Sequence, residues 1–156
     1  AQSYSSQNRY DLIIMTGHVF QVFLNKEDVL STFKVMHKHL APGGRIVFES
    51  RNPQISWASK WNTNTVVNLP SGEVYREERR VTEVTSSRIF FQVIYHWHGE
   101  QLTSRSELYF WKLSEIENLL KATSLEVENL YGDWDKTKFF PATCEEMIFV
   151  VKAIVK

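Results

Sequence analysis

Two short apolar runs flank an amphipathic segment near the start of the chain, and this pattern constrains the fold more than any other feature. The first run is YDLIIM, Tyr10 to Met15, which is apolar at every position from Leu12 onward. A strand without polar alternation is typical of a parallel sheet whose two faces are both covered. The second run is RIVFE, Arg45 to Glu49. The two runs predict neighbouring strands of one sheet.

The segment between the two runs predicts a helix. Asn25 is suited to cap its first turn, where Glu27 and Asp28 match the positive end of the helix dipole. An apolar stripe then recurs at helical spacing, formed by Val29, Phe33, Met36 and Leu40. Ala41-Pro42-Gly43-Gly44 is expected to end the helix and turn the chain. Strand, helix, turn and strand form a βαβ unit, whose crossover is almost always right-handed.

The middle of the chain changes to a two-residue period. Three alternating segments follow one another: Val74 to Val84, Ile89 to His98, and Leu102 to Trp111. Ser86-Ser87 and Gly99-Glu100-Gln101 are typical of the turns between such strands. We therefore expect an antiparallel β insert over residues 66–111, within a single domain that spans residues 1–156.

The tail returns to mixed elements. Ser114 and Glu117 have the spacing of a capping box and predict a helix start. Leu125 to Tyr131 predicts a strand, Gly132 to Asp135 begins a long loop, and Met147 to Val155 predicts a final, very apolar strand.

Composition limits the partners that the protein is expected to bind. The 18 Lys and Arg residues balance 18 Asp and Glu, so overall charge favours neither nucleic acid nor an anionic membrane. No apolar stretch approaches the ~20 residues that span a bilayer, and the polar start AQSYSSQNR is not typical of a signal peptide. The single cysteine, Cys144, cannot form an internal disulfide, which fits a reducing compartment. We expect a cytoplasmic protein.

Two stretches and the order of the elements resemble a known family. YDLIIM leading into Thr16-Gly17-His18, and later LAPGGRIVFES, resemble the fourth and fifth strands of class I S-adenosylmethionine-dependent methyltransferases. The tail, with LEVENLYGDWD and EEMIFVVKA, is similar to the reversed hairpin that ends that fold. The resemblance covers Asp11 to Arg51 and Trp111 to Lys152. It implies an α/β fold: a partial Rossmann-like methyltransferase sheet, parallel strands plus the reversed hairpin, carrying the antiparallel insert.

The chain departs from the family at its cofactor loop. Its six glycines form no G-x-G-x-x-G motif, and no strand, loop and helix precede Tyr10. The resemblance therefore implies a chain that starts after the family's third strand. It also implies S-adenosylmethionine as cofactor and a small molecule as methyl acceptor, in an enzyme of which this chain is a fragment that is inactive by itself.

The resemblance places the cofactor beside the first of two strand ends. It implies contacts from Ala1 and Gln2, just past the adenine-contacting turn, and from Thr16, Gly17 and His18 along the methionine part. Open α/β sheets bind ligands at the carboxyl ends of their strands. His18 is also the candidate catalytic base. The alternative is that Gly17 only forms a tight turn and that His18 is a surface or capping residue.

The second strand end offers candidates for binding the acceptor. Arg51 and Asn52 follow it, and Trp57 lies downstream; Arg51 suits a carboxylate or phosphate. In the tail, Tyr131 and Asp133 begin a loop that in the family often approaches the substrate. An ordinary loop with tryptophans packed on the sheet, and routine turn chemistry at Asp133, remain the alternatives.

Other functional classes stay open at this point. His96 and His98 share a predicted strand, but no third ligand accompanies them, so we expect no metal site. A non-catalytic module that pairs through an exposed sheet edge is one rival to the enzyme. An unrelated antiparallel α+β ligand-binding domain is the other. The sheet edge or the β insert would also offer a surface for a homodimer.

Overall fold

The computed structural model describes residues 3–155, which form two compact units. One unit contains the residues up to Ile55 and from Phe110 onward, and the other is Ser56–Tyr109. Each unit is built on one four-stranded sheet. The assignment of all 156 residues to a single domain stays a prediction.

The sheet of the first unit has the mixed topology that the sequence predicts. Its strands are β1 (Tyr10–Met15), β2 (Leu40–Arg51), β7 (Leu125–Tyr131) and β8 (Glu146–Ala153), in the order β1-β2-β8-β7. β1 and β2 are parallel, and β8 is antiparallel to both β2 and β7. The predicted pair of parallel strands and the reversed terminal hairpin are therefore confirmed, as is the α/β class.

The first helix, α1 (Lys26–His39), begins as its sequence predicts. The Asn25 side chain accepts a hydrogen bond from the Asp28 backbone N–H at 2.9 Å. All four residues of the predicted apolar stripe are buried. Most of the stability of such a helix comes from packing this stripe against the sheet rather than from its propensity.

The turn after α1 lies inside β2 rather than before it. Tyr10 pairs with Leu40 while Leu12 pairs with Arg45, so β2 carries extra residues that bulge out of the ladder. Gly43 sits in this bulge with a φ of 77°. The predicted strand start at Arg45 is therefore wrong: pairing begins at Leu40, because the glycine allows the chain to loop out and return to the same neighbour.

Aromatic side chains fill the core of the first unit. The rings of Phe48 on β2 and Phe149 on β8 stack with centroids 4.7 Å apart, and Phe20 and Phe33 pack beside them. Trp111 is buried there as well, and its indole N–H donates to the backbone oxygen of Phe23 at 3.1 Å. Each such side chain contributes about 1.5–3 kcal/mol through burial alone.

The expectation that both faces of β1 are covered is wrong for this chain. Leu12 is 58% exposed and Ile14 is 62% exposed, although both are apolar. β1 lies at the edge of its sheet and pairs, among residues 3–155, with β2 alone. The apolar run thus has the composition of a central strand in the position of an edge strand.

The tail differs from prediction at two element ends. The helix α3 (Leu113–Lys121) is preceded by Lys112, whose backbone N–H donates to the Glu115 side chain at 2.9 Å. The predicted Ser114 cap is wrong by two residues, because Glu115 provides the first-turn contact that Glu117 was expected to provide. The last strand begins at Glu146 and ends at Ala153 instead of running from Met147 to Val155.

The second unit has the predicted antiparallel strands, but it is Ser56–Tyr109 where the prediction was residues 66–111. It contains a short helix and four strands: α2 (Trp57–Lys60), β3 (Thr63–Asn68), β4 (Val74–Val84), β5 (Arg88–Trp97) and β6 (Glu100–Tyr109). The turn between β5 and β6 is His98-Gly99, with φ angles of 52° and 78°. The predicted turn at Gly99 to Gln101 is wrong because a two-residue hairpin turn with positive φ closes the strands tightly.

None of the helices between residues 3 and 155 combines the length and the apolar character needed to cross a lipid bilayer.

Candidate active site

The carboxyl end of β1 carries an unusual backbone. Gly17 has a φ of 79°, and His18 follows with φ 59° and ψ 23°, which is left-handed for a residue with a side chain. Only a few per cent of non-glycine residues have a positive φ, and the left-handed conformation costs about 1–2 kcal/mol. Surrounding contacts must therefore hold His18 in place.

A buried carboxylate holds the His18 backbone. The His18 N–H donates to Glu49 Oε1 at 2.7 Å. Glu49 lies near the end of β2 and is only 4% exposed. Because β1 and β2 are parallel, both of their carboxyl ends meet at one edge of the sheet, and this brings the two residues together.

A second carboxylate holds the His18 ring. His18 Nε2 lies 3.0 Å from Glu146 Oε1, and the two side chains are 31% and 22% exposed. Glu146 opens β8, directly opposite Arg51 on the antiparallel neighbour β2. Glu49 lies two residues before Arg51, so all three side chains leave the same face of the sheet.

The cluster has unused capacity to accept hydrogen bonds. The second oxygens of Glu49 and Glu146 are buried and have no hydrogen-bond partner among the described residues. Burial raises the pKa of Glu146, an effect that the nearby His18 and Arg51 oppose and that Glu49 reinforces. A buried carboxylate oxygen without a partner is costly, so a cationic or hydrogen-bond-donating ligand would be favoured here.

Arg51, which lies opposite Glu146 on β2, contacts the buried Gln21. Arg51 Nη1 donates to Gln21 Oε1 at 2.9 Å. Gln21 is fully buried, and its side-chain nitrogen has no partner among residues 3–155. Arg51 was predicted to bind the acceptor directly; in the structure its guanidinium contacts Gln21.

Asn52 has a structural contact at the position predicted for acceptor binding. It is 1% exposed, and its amide donates to the backbone oxygens of Pro141 and Cys144, each at 2.7 Å. These bonds tie the end of β2 to the loop before β8. These hydrogen bonds therefore also fix the position of Glu146 at the start of β8.

The other predicted site residues do not join the cluster in the structure. Thr16 and Gly17 are exposed beside it. Asp133 accepts a hydrogen bond from the Trp134 backbone at 2.6 Å, and Tyr131 ends β7. Trp57 belongs to the second unit, where it contacts Trp61. The predicted cofactor contacts Ala1 and Gln2 lie outside the described residues.

Sequence reasoning missed Glu49 and Glu146. Each is an acid at one end of an otherwise apolar strand, in RIVFES and EEMIFVV respectively. An acidic residue inside an apolar pattern is a signal for a buried functional carboxylate, because such burial is rare without a partner. The described residues contain no group of three side chains with metal-binding geometry. The cluster offers an imidazole whose ring contacts Glu146, on a residue whose backbone N–H is held by Glu49.

Comparison with known proteins identifies the fold at low sequence identity. No protein-family model and no curated protein matches the sequence. Among solved structures, an S-adenosylmethionine-dependent methyltransferase from Clostridium acetobutylicum matches with a TM-score of 0.79 and 16% identity. The match covers 99% of this chain and 62% of that one.

Two further matching structures are described as sugar methyltransferases. A sugar N-methyltransferase from Streptoalloteichus matches with a TM-score of 0.71 and 13% identity, over 96% of this chain and 59% of its own. An amino pentose methyltransferase from Micromonospora echinaspora, solved with S-adenosylmethionine bound, has a TM-score of 0.66 and 13% identity, over 96% and 61%.

The chain thus spans about three-fifths of the length of the structures it matches. Over that length, it has the α/β fold of the class I S-adenosylmethionine-dependent methyltransferases.

Proposed function

We propose that this chain forms part of an enzyme that transfers a methyl group from S-adenosylmethionine to a small-molecule amine. The observation that carries the proposal is the cluster of His18, Glu49 and Glu146 at the carboxyl ends of β1 and β2. This is the edge at which open α/β sheets bind their ligands. Because the chain spans three-fifths of the matching structures, the proposal concerns the activity of the longer protein.

The chemistry of the cluster fits an amine better than a neutral hydroxyl. An amine is an ammonium ion at neutral pH and must lose a proton before it can attack a methyl group. The two buried carboxylate oxygens without partners can accept hydrogen bonds from the ammonium, and the His18 imidazole can accept the proton that it loses. The sugar N-methyltransferase and the amino pentose methyltransferase among the matching structures support the same acceptor class.

The chain's contribution on the cofactor side is the segment from Thr16 to His18. When bound, S-adenosylmethionine supplies a methyl group on a positively charged sulfonium. Gly17 fits a close approach of such a ligand: a Cβ at this position would point into open space, with no atom within 4 Å. The segment's role is to align cofactor and acceptor, and alignment alone is worth roughly 7–11 kcal/mol.

The test is methyl transfer by the full-length protein that carries this sequence. It would be incubated with S-adenosylmethionine and matched sugars that differ only in an amino or a hydroxyl group. Mass spectrometry should show one added methylene on the amino sugar and none on its hydroxyl counterpart. Methylation of the hydroxyl sugar alone would overturn the amine assignment. If no compound in a broad panel of amines is methylated, the proposal that the protein is a methyltransferase is overturned.

A variant series separates catalysis by His18 from general damage. His18→Ala should lower kcat by about 10²–10⁴-fold, the usual contribution of a general base. His37→Ala is the matched control, because His37 lies in the last turn of α1 and, among residues 3–155, has no hydrogen bond or ion pair with the cluster. Equal effects of the two changes would remove His18 from the chemistry.

The exposed edge of β1 favours a second candidate function, that of an assembly module. Leu12 and Ile14 on β1 and Val19 just after it are each at least 46% exposed. Ile14 and Val19 also line a groove of about 380 Å³. An apolar edge strand is a template for pairing with another chain. If a second copy of this chain covers it, the melting temperature will rise with protein concentration, and Leu12→Lys will abolish that dependence. A monomer at all concentrations contradicts this candidate.

The third candidate, an unrelated antiparallel α+β ligand-binding domain, does not fit the parallel pairing of β1 with β2.

A further inference from the structure

The two hydrogen bonds to His18 come from different strands and hold different parts of the residue. Glu49 of β2 accepts from the backbone N–H at 2.7 Å, and Glu146 of β8 contacts the ring at Nε2 at 3.0 Å. Arg51 is the other charged group near Glu146 on the same face. The backbone and the ring of His18 are thus fixed independently.

The ring contact decides which nitrogen carries the proton. An ionised carboxylate can only accept, so Nε2 must donate to Glu146 and therefore holds the hydrogen. Nδ1 then has a free lone pair in the neutral ring. Between residues 3 and 155, no hydrogen bond is made by His18 Nδ1, and the side chain is 31% exposed. Nδ1 is the nitrogen that remains for a ligand.

We propose that Glu146 is a positioning residue that holds the Nε2–H form of His18, so that Nδ1 accepts the proton of the methyl acceptor. The inference rests on the proposed function for its catalytic part. In the balanced step, Nδ1 removes H⁺ from the ammonium and the nitrogen keeps its lone pair for the methyl group. Glu146 stays ionised and stabilises the imidazolium that forms.

The architecture explains why Glu146, rather than a loop residue, has this role. Asn52 fixes the start of β8 by bonding to the backbone oxygens of Pro141 and Cys144, and Asn52 N–H donates to the Glu145 oxygen at 2.8 Å. A ring held by a strand-borne carboxylate changes position little when substrate binds. Positioning groups on rigid elements are more precise than groups on loops.

The first test is the ring tautomer, which needs no activity. Nitrogen NMR of the labelled full-length protein at pH 8 should show His18 Nε2 protonated and Nδ1 unprotonated. In Glu146→Gln the fixed preference should be lost, since an amide can either donate or accept. Protonation at Nδ1 in the wild type, or an unchanged preference in the variant, would overturn the proposal.

The second test is kinetic and compares three variants. Glu146→Gln should lower kcat by at least about tenfold, which is a smaller loss than the 10²–10⁴-fold expected when the base His18 itself is removed. The KM for S-adenosylmethionine should not change. Glu146→Asp should recover part of kcat. Glu126→Gln, at the far end of the same hairpin, is the matched control and should leave kcat unchanged.

The two tests distinguish failure of the proposed function from failure of the role proposed for Glu146. An inactive wild type with the expected tautomer would overturn the proposed function and leave the histidine–glutamate pair established. An active wild type whose Glu146→Gln variant keeps its kcat would overturn the pair and leave the function standing.

Discussion

His18 adopts the left-handed backbone conformation that L-residues usually avoid, and two carboxylates compensate for it. The sequence placed His18 at a strand end, because an apolar run followed by Thr-Gly-His is a recognisable local pattern. It did not reveal Glu49 or Glu146, since their proximity to His18 depends on strand register. Strand register brings His18 close to Glu49 and Glu146, which lie 31 and 128 positions further along the chain. No local sequence pattern encodes contacts at such a separation.

Glu146 is a partly buried acid whose ionisation costs the folded protein stability. Burial raises the pKa of Glu146 above its ordinary value of 4.5. The folded protein therefore binds this proton more tightly than the unfolded chain, so ionisation of Glu146 opposes folding. The destabilisation is absent below pH 4.5 and develops as the pH rises through the folded pKa.

Glu146→Gln should accordingly be more stable than the wild type at neutral pH. The gain in the free energy of unfolding should shrink as the pH falls toward 4.5, where Glu146 is neutral in both states. Urea unfolding at several pH values measures it. A variant less stable than the wild type at pH 7.5 would contradict the assignment.

Gly132 is required at its position because a neighbouring side chain approaches its backbone closely. A Cβ at this position would lie 2.3 Å from the sulfur of Cys144 and 3.0 Å from its Cβ. Gly132→Ala should cost about 1–3 kcal/mol in the free energy of unfolding, the usual range for overpacking. Urea denaturation measures the loss.

The double variant Gly132→Ala with Cys144→Ala should recover part of that loss, because the sulfur is gone. Cys144→Ala alone is the control. An additive pair of changes would show that the sulfur is not the obstacle.

At the scale of elements, sequence pattern predicted existence well and ends less well. The parallel strands, α1, the insert strands and the terminal hairpin are all present, because apolar periodicity records which face each element buries. The ends that differ depend on single contacts: Gly43 allows the bulge in β2, Glu115 starts α3, and His98-Gly99 closes a hairpin. Such contacts form only after the neighbouring elements are in place.

The cap of α1 is one local contact that the sequence predicted correctly. Asn25→Ala should lower the free energy of unfolding by about 1 kcal/mol, because the Asp28 N–H loses its acceptor. Asn118→Ala, at an exposed position inside α3, is the matched control and should change stability little or raise it slightly. Chemical unfolding of both variants checks this, and equal losses would mean that capping is not the cause.

At the scale of the whole molecule, the exposed edge of β1 and the partial coverage of the matching structures both favour a sheet that extends beyond β1. Leu12 and Ile14 have the apolarity of a covered strand, and the chain corresponds to about three-fifths of each matching structure. If the proposed function is right and the chain is part of a longer enzyme, this edge is where its sheet continues. The second candidate function, pairing with another copy, uses the same edge.

The two compact units provide a further prediction at this scale. If residues 1–156 fold as one domain, far-ultraviolet circular dichroism and tryptophan fluorescence should report a single coincident unfolding transition. Two separate transitions would show that Ser56–Tyr109 unfolds as a domain of its own.

The most direct measurement of the central claim is calorimetry of the full-length protein with S-adenosylhomocysteine. If the ends of β1 and β2 frame a cofactor site, one equivalent should bind, and Gly17→Val should weaken binding by placing a side chain where the backbone meets the ligand. A cooperatively folded wild-type protein that releases no heat of binding across the titration would contradict the account.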